Sequence, residues 1–133
     1  MTYALDTNTI IHLLKHTPSV LKQRNSVLKD GAGLIIPPYV NFELRRGFRY
    51  VKATAKEQSY QILCTRYPVG EMRADTWELA ATIYADLRQA SFTVGDADIL
   101  IAAFCIIDGY TLVTNNTKDF KNISDLLMVD WVV

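Results

Sequence analysis

The chain has 133 residues, which is the size of one domain with its own core. Half of the residues are hydrophobic and 21% are charged, a composition that excludes a disordered or fibrous protein. No apolar run approaches the ~20 residues of a membrane-spanning helix, and the N-terminus lacks the pattern of a signal peptide. We therefore expect a single cytoplasmic domain over residues 1–133. Cys64 and Cys105 lie far apart, and we expect both to be reduced and buried.

The net charge of zero hides an asymmetry between the two halves of the chain. Residues 1–66 contain ten basic and four acidic residues, a net charge of +6, whereas residues 67–133 contain four basic and ten acidic residues, a net charge of −6. Such a split indicates a surface that binds a polyanion or an acidic functional cluster. Neutralisation of one half by the other across the fold explains the charges equally well.

The spacing of apolar residues predicts strands that alternate with helices along the whole chain. Strands are predicted at residues 3–5, 34–36, 111–114 and 127–133, with a short edge strand at 67–69. Helices are predicted at residues 7–16, 19–28, 39–51, 56–66, 73–89 and 96–107. The apolar face of the helix at 73–89 is predicted to consist of Trp77, Ala80, Ala81, Tyr84 and Leu87. This alternation is typical of a three-layer α/β/α fold with a central, mainly parallel sheet.

Acidic side chains follow the predicted strands. Asp6 comes directly after the first strand, Glu43 lies about one helical turn beyond the second, and Asp119 shortly follows the third. Asp98 begins the helix that leads into the third strand. Because the carboxyl ends of parallel strands meet at one edge of a sheet, we expect these four carboxylates to lie close together.

Asp98 is the most informative of the four because it opens the apolar run 98–104, which must be mostly buried. A buried carboxylate needs a partner, yet no basic residue occurs within ten residues after Asp98, and the nearest one before it is Arg88. The partner is therefore a metal ion or a side chain from the basic half of the chain. Carboxylates and water suit Mg²⁺ or Mn²⁺, and such ions support phosphodiester hydrolysis.

Each acidic residue also has a purely structural explanation. Asp6 and Asp96 could each cap the helix that follows, a role we favour for Asp96. Glu43 could lie in solvent beside a neighbouring arginine, and Asp119 could cap a turn. The joint placement of the acidic residues at the strand ends makes the cluster the stronger hypothesis.

Four segments, in this order along the chain, resemble the motifs of PIN-domain ribonucleases, and specifically of VapC-type toxins of bacterial toxin–antitoxin pairs. The first is Leu5-Asp6-Thr7-Asn8, and the second, residues 43–47, reads Glu-Leu-Arg-Arg-Gly. The third covers residues 95–103, which begin Gly-Asp-Ala-Asp, and the fourth covers residues 114–120, which begin Thr-Asn-Asn-Thr. The resemblance extends over the whole chain and implies a PIN-like fold.

The resemblance also implies an activity and its residues. It implies Mg²⁺-dependent endonucleolytic cleavage of structured RNA, transfer RNA being favoured, with Mn²⁺ as a substitute ion. Asp6 and Asp98 match the principal metal ligands, and Glu43 and Asp119 match the other two acidic positions of the catalytic set. Supporting positions around the site are Thr7, Asn8, Asp96, Thr114, Asn115 and Asn116. Many relatives carry an aspartate near position 116, so either Asp119 or Asn116 could complete the site.

The partners implied by the resemblance are a second copy of the chain and a small antitoxin, which together form a heterotetramer or a larger complex. The antitoxin's C-terminal segment is expected to lie across the active cleft. The basic residues that follow Glu43 on one helix are expected to bind RNA phosphates or antitoxin carboxylates. These residues are Arg45, Arg46, Arg49 and Lys52. The aromatic residues Tyr39, Phe48 and Tyr50 could stack on bases, although packing in the core or in the dimer is the preferred explanation.

Two other classes of function compete with a ribonuclease. One is a non-catalytic module that keeps the fold and binds nucleic acid or protein through its basic half. The other is a phosphate-transfer domain, either a receiver or a haloacid-dehalogenase-like phosphatase. A receiver usually has paired acidic residues at the first strand, and such a phosphatase has Asp-x-Asp there. This chain has Asp6-Thr7-Asn8, which fits neither.

Overall fold

Four short parallel strands form the sheet of this protein, and seven helices accompany them in a computed structural model that describes all 133 residues. The strand order is β2-β1-β3-β4, and every neighbouring pair is parallel. In chain order the elements are β1 (Thr2–Leu5), α1 (Thr7–Leu14), α2 (Pro18–Lys29), β2 (Gly33–Ile35), α3 (Pro38–Tyr50), α4 (Thr54–Arg66), α5 (Ala74–Gln89), α6 (Asp96–Ile107), β3 (Thr111–Val113), α7 (Thr117–Phe120) and β4 (Leu127–Val129). The predicted α/β class is confirmed.

The two central strands carry the most buried part of the sheet. Ala4 and Leu5 of β1 pair in register with Leu112 and Val113 of β3, and all four are fully buried. Each of these strands ends where a polar residue follows, at Asp6 and at Thr114. Strand pairing therefore fixes the relative positions of two side chains that are far apart in the sequence.

Several predicted boundaries differ from the structure. The last strand ends at Val129 rather than at residue 133, because the Asp130 carboxylate accepts a hydrogen bond of 2.8 Å from the Val132 N–H and turns the backbone out of the sheet. The predicted edge strand at 67–69 is a single bridge between Ile36 and Val69. The first helix ends at Leu14, two residues early.

The predicted apolar face of α5 is confirmed at Ala80 and Leu87 and was wrong at Trp77, Ala81 and Tyr84. Its buried residues are Thr76, Ala80, Ile83 and Leu87, which pack on the α6 side of the helix. Trp77 is 53% exposed and Tyr84 is 43% exposed. The helix carries apolar residues on two faces, and the face with the smaller side chains is the one that meets α6.

Only one of the two cysteines is buried as expected. Cys105 is fully buried, and this burial raises the pKa of its thiol well above the usual value. Cys64 is only half-buried, and both thiols are free.

Gly70 lies where a loop passes close to the core. A Cβ atom at this position would overlap the ring of Phe104. Only glycine therefore fits here without a shift of α6 or of the loop.

None of the helices is both long enough and apolar enough to cross a membrane.

Candidate active site

Asp6 lies at the junction of β1, α1 and β3. Its backbone N–H donates to the Val113 carbonyl at 3.0 Å, and its carboxylate accepts from the Thr114 hydroxyl at 2.7 Å. The same carboxylate caps α1 by accepting from the Thr7 N–H at 2.8 Å. Asp6 is thus a helix cap and a member of the acidic cluster at once. Burial raises the pKa of this carboxyl group, while the two hydrogen bonds to its side chain lower it.

Two threonines of α1 form hydrogen bonds that join this helix to α3 and to the end of β3. The Thr7 hydroxyl donates to Oε1 of Glu43 at 3.0 Å and so joins α1 to α3. The buried Thr9 hydroxyl donates to the Val113 carbonyl at 2.9 Å and joins α1 to the end of β3. Thr9 was not predicted as a supporting residue, and its only signal in the sequence is a hydroxyl group within the first turn after Asp6.

Asp98 is half-buried in the first turn of α6 and forms no ion pair. Burial, followed by the negative charges of Asp6, Asp119 and Glu43, raises the pKa of its carboxyl group to about 6. Asp98 therefore lies within electrostatic range of the other three carboxylates predicted to converge. No arginine or lysine relieves the charge on Asp98.

The donor set fits a small divalent ion that retains water. No three acidic, histidine or cysteine side chains approach closely enough to hold an ion by themselves. Mg²⁺ normally binds through one or two carboxylates and keeps several water molecules, so a wide carboxylate cluster suits it better than a closed cage would. The unpaired Asp98 and the buried Asp6 are the two carboxylates with the strongest need for a positive charge.

Some of the predicted supporting residues lie in the site and others do not. Thr7 and Thr114 hold two of the carboxylates, as described above. Asn8 and Asn115 are exposed, and their side chains form no hydrogen bond. Asn116 contributes through its backbone, because its N–H donates to the Thr114 hydroxyl at 3.0 Å and its carbonyl accepts from the Asp119 N–H at 2.9 Å.

The predicted cap role of Asp96 was wrong. Gly95 is the N-cap of α6, and Asp96 is the exposed first residue of the helix. Its charge is not among those that raise the pKa of Asp98. The extended backbone before α6 ends at Gly95, one residue earlier than a cap role for Asp96 requires.

Two of the four basic residues expected to bind RNA or antitoxin are held within the protein. Arg45 and Arg49 of α3 form ion pairs of 3.2 and 3.0 Å with Glu57 of α4. The guanidinium of Arg45 also lies 5.2 Å from the ring centroid of Tyr60. Arg46 and Lys52 form no ion pair and are exposed.

Comparison with known proteins finds relatives that are named as nucleases. A PIN-domain family model matches residues 3–126. A curated relative, "Ribonuclease VapC2" from Rickettsia felis, is 30% identical over 132 residues and 98% of both chains. Another, "tRNA(fMet)-specific endonuclease VapC" from Shigella flexneri, is 28% identical over 97% of both chains. A crystal structure of VapBC2 from Rickettsia felis, bound to a DNA fragment from its promoter, contains a chain with TM-score 0.89 and 28% identity. The match covers 98% of this chain and 99% of that chain.

Proposed function

The chain belongs to the PIN-domain family and, within it, to the VapC-type ribonucleases, and from this premise we propose that it is a Mg²⁺-dependent endoribonuclease toxin. Its substrate is proposed to be structured RNA, with transfer RNA favoured because one relative carries that specificity in its name. Mn²⁺ is proposed to substitute for Mg²⁺.

One observation carries this proposal: Asp98 lies half-buried beside three other carboxylates without a basic partner. Several negative charges in a partly buried cluster destabilise one another. A protein that only needed a stable fold would place an arginine or an apolar residue at this position. The cluster instead provides oxygen ligands for a divalent cation.

Asp6 and Asp98 would hold the metal ion directly, with Glu43 and Asp119 as further ligands or as acceptors for its water molecules. When bound, such an ion neutralises the carboxylates, activates water for attack on phosphorus and stabilises the charge of the leaving oxygen.

Hydrogen-bond donors next to the cluster keep two of its carboxylates in place. Thr114 and the Thr7 N–H fix the orientation of Asp6, and the Thr7 hydroxyl fixes Glu43. Because these donors belong to the ends of β3 and α1, the carboxylates are oriented before substrate arrives. Asp98 stays ionised at neutral pH once a cation lies beside it, since an opposite charge lowers a carboxyl pKa.

The experiment that tests the activity is cleavage of total RNA by the purified protein, free of inhibitor, with Mg²⁺ and with EDTA. We expect cleavage only with the metal, and only when Asp98 is present. A folded protein that binds RNA but never cleaves it, with either ion, would refute the proposal and favour a binding module. Sequencing the 5′ ends of the products would identify the RNA and the cleavage position.

We also propose the partners and the location that go with this activity. A cognate antitoxin is proposed to inhibit the protein by covering the carboxylate cluster, and the relatives of known structure include VapBC complexes. A homodimer that forms a heterotetramer or a larger complex with the antitoxin is proposed, in the cytoplasm. Light scattering of the protein with and without its antitoxin tests the assembly.

A further inference from the structure

An exposed aromatic ring on α3 is paired with an unneutralised cation. Phe42 is 52% exposed although it is one of the largest apolar side chains on α3. The guanidinium of Arg46, one turn later, lies 4.9 Å from the centroid of its ring. The ring of Tyr39 packs edge-on against Phe42 at 5.8 Å between centroids. Two neighbours thus hold the Phe42 ring in place while half of it remains open to solvent.

This ring lies on the helix that carries Glu43, one member of the carboxylate cluster. Phe42 directly precedes Glu43, and Tyr39 and Arg46 are one turn away from that residue on either side. With 3.6 residues per turn, these four side chains share one stripe of α3, about 100° wide, with Phe42 at one edge and Glu43 at the other. The Glu43 edge of the stripe reaches the Thr7 hydroxyl. The aromatic ring and the Glu43 carboxylate therefore belong to one continuous strip of the helix surface.

We propose that Phe42 and Arg46 form a platform on which an unpaired base of the RNA stacks next to the cleavage site. The proposal rests on the ribonuclease function proposed above and adds a binding subsite to it. Bases stack on aromatic rings and on guanidinium planes regardless of sequence, because every base has a flat π-face. An unpaired base held here would place its neighbouring phosphate close to the Glu43 carboxylate on the same helix.

Charge favours RNA over a protein partner at this surface. Arg45 and Arg49 are both ion-paired with Glu57, whereas Arg46 and Lys52, which follows the helix, form no ion pair. The platform therefore combines a flat ring with an unpaired guanidinium, and such a pairing of an aromatic ring with a cation is found in single-strand binding surfaces. It differs in this way from an apolar surface that receives a hydrophobic helix.

The chain also contains a matched control. On α5, Tyr84 is 43% exposed and the Arg88 guanidinium lies 5.1 Å from its ring centroid. The spacing and exposure of this pair repeat those of Phe42 and Arg46. However, α5 contributes no residue to the carboxylate cluster. Tyr84→Ala therefore removes the same kind of surface pair without affecting the proposed platform.

The test measures binding of fluorescent 12-nucleotide oligouridylate and oligoadenylate by anisotropy, in EDTA and in an Asp98→Asn background, so that no cleavage occurs. We expect Phe42→Ala to raise Kd roughly tenfold without altering the salt dependence, while Phe42→Trp keeps the parent affinity. Phe42→Leu, which is apolar but has no π-face, should behave like Phe42→Ala. Arg46→Gln should weaken binding and reduce the salt slope by about one. Tyr84→Ala should change nothing.

Three results would overturn the platform: no binding by the parent protein, equal affinities of the Phe42→Ala variant and the parent, or full affinity in Phe42→Leu. A Phe42→Ala variant that binds the oligonucleotides normally but the cognate antitoxin weakly would assign the ring to the protein partner and also overturn it. Thermal unfolding checks that each variant is folded, which an exposed position permits. Absence of cleavage by the wild-type protein would refute the ribonuclease function and leave these affinities unchanged, so the two failures are distinguishable.

Discussion

Replacing Asp98 with asparagine is expected to abolish RNA cleavage and, at the same time, to stabilise the metal-free protein. The structure raises the pKa of this carboxyl group from 3.8 to about 6 through burial and through three neighbouring carboxylates. A rise of this size corresponds to about 3 kcal/mol at neutral pH. Because the side chain is only half-buried, solvent screening reduces the gain in unfolding free energy to about 1–2 kcal/mol. For a domain of this size, the melting temperature should rise by about 4–8 °C.

The stabilisation expected from Asp98→Asn should depend on pH. The folded-state pKa of Asp98 exceeds the unfolded value, so between pH 3.8 and about 6 the folded wild-type protein binds more protons than the unfolded chain. Its stability therefore falls as pH rises through this window. The Asp98→Asn variant lacks this loss. The difference between the two proteins should be near zero below pH 4 and complete above pH 6, as measured by thermal unfolding in EDTA.

Asp96→Asn provides the control for this experiment. Asp96 lies in the same first turn of α6, so its replacement removes the same favourable interaction with the helix dipole. It is exposed and does not contribute to the charge on Asp98. Its replacement should therefore neither stabilise the protein nor abolish cleavage. A metal-free Asp98→Asn variant no more stable than wild type at pH 7.5 would refute the argument that the carboxylates repel one another.

Three further predictions concern stability and metal binding. Millimolar Mg²⁺ or Mn²⁺ should raise the melting temperature of the wild-type protein but not that of the Asp98→Asn variant. Equal rises in the two proteins would mean that the ion binds at a site without Asp98. Thr114→Val removes the 2.7 Å hydrogen bond to the buried Asp6 carboxylate. The free energy of unfolding, measured in urea, should fall by about 1–3 kcal/mol, and RNA cleavage should slow. Unchanged stability and activity would contradict the positioning role of Thr114. Gly70→Ala forces a Cβ atom into the Phe104 ring and should lower the free energy of unfolding by about 1–3 kcal/mol. The rise in melting temperature caused by divalent ions should not change. A substitution without effect on stability would show that the loop can move away.

Most of the sheet and six of the seven helices could be predicted from the sequence, whereas α7 was not predicted. Alternating short apolar strands and helices indicated parallel pairing, and parallel pairing requires that strand ends share an edge. Three of the acidic residues follow strands and Asp98 begins the helix that leads into the third strand, so the four were expected to converge; in the structure the other three lie within electrostatic range of Asp98. Their catalytic roles are the proposal that the experiments above test.

The remaining features depend on contacts that no local pattern encodes. Glu57, twelve residues after Arg45, forms ion pairs with two arginines because α4 packs on α3, and helix packing of this kind cannot be read from spacing. The aromatic residues of α5 suggested an inward face, but the buried face is rotated away from them and includes Thr76 and Ile83. Phe42 was not predicted as a binding residue, because a lone phenylalanine within an apolar helix pattern normally indicates a core residue.

The pairing of the central strands determines when, during synthesis, the site can be completed. Asp6 is synthesised long before Thr114, yet its carboxylate is oriented by that residue. No nascent fragment that ends before Thr114 can therefore contain a completed cluster. A cell that translates this message has the whole interval between the two residues before the product acquires its proposed toxicity, and premature termination upstream of Thr114 should yield a harmless peptide.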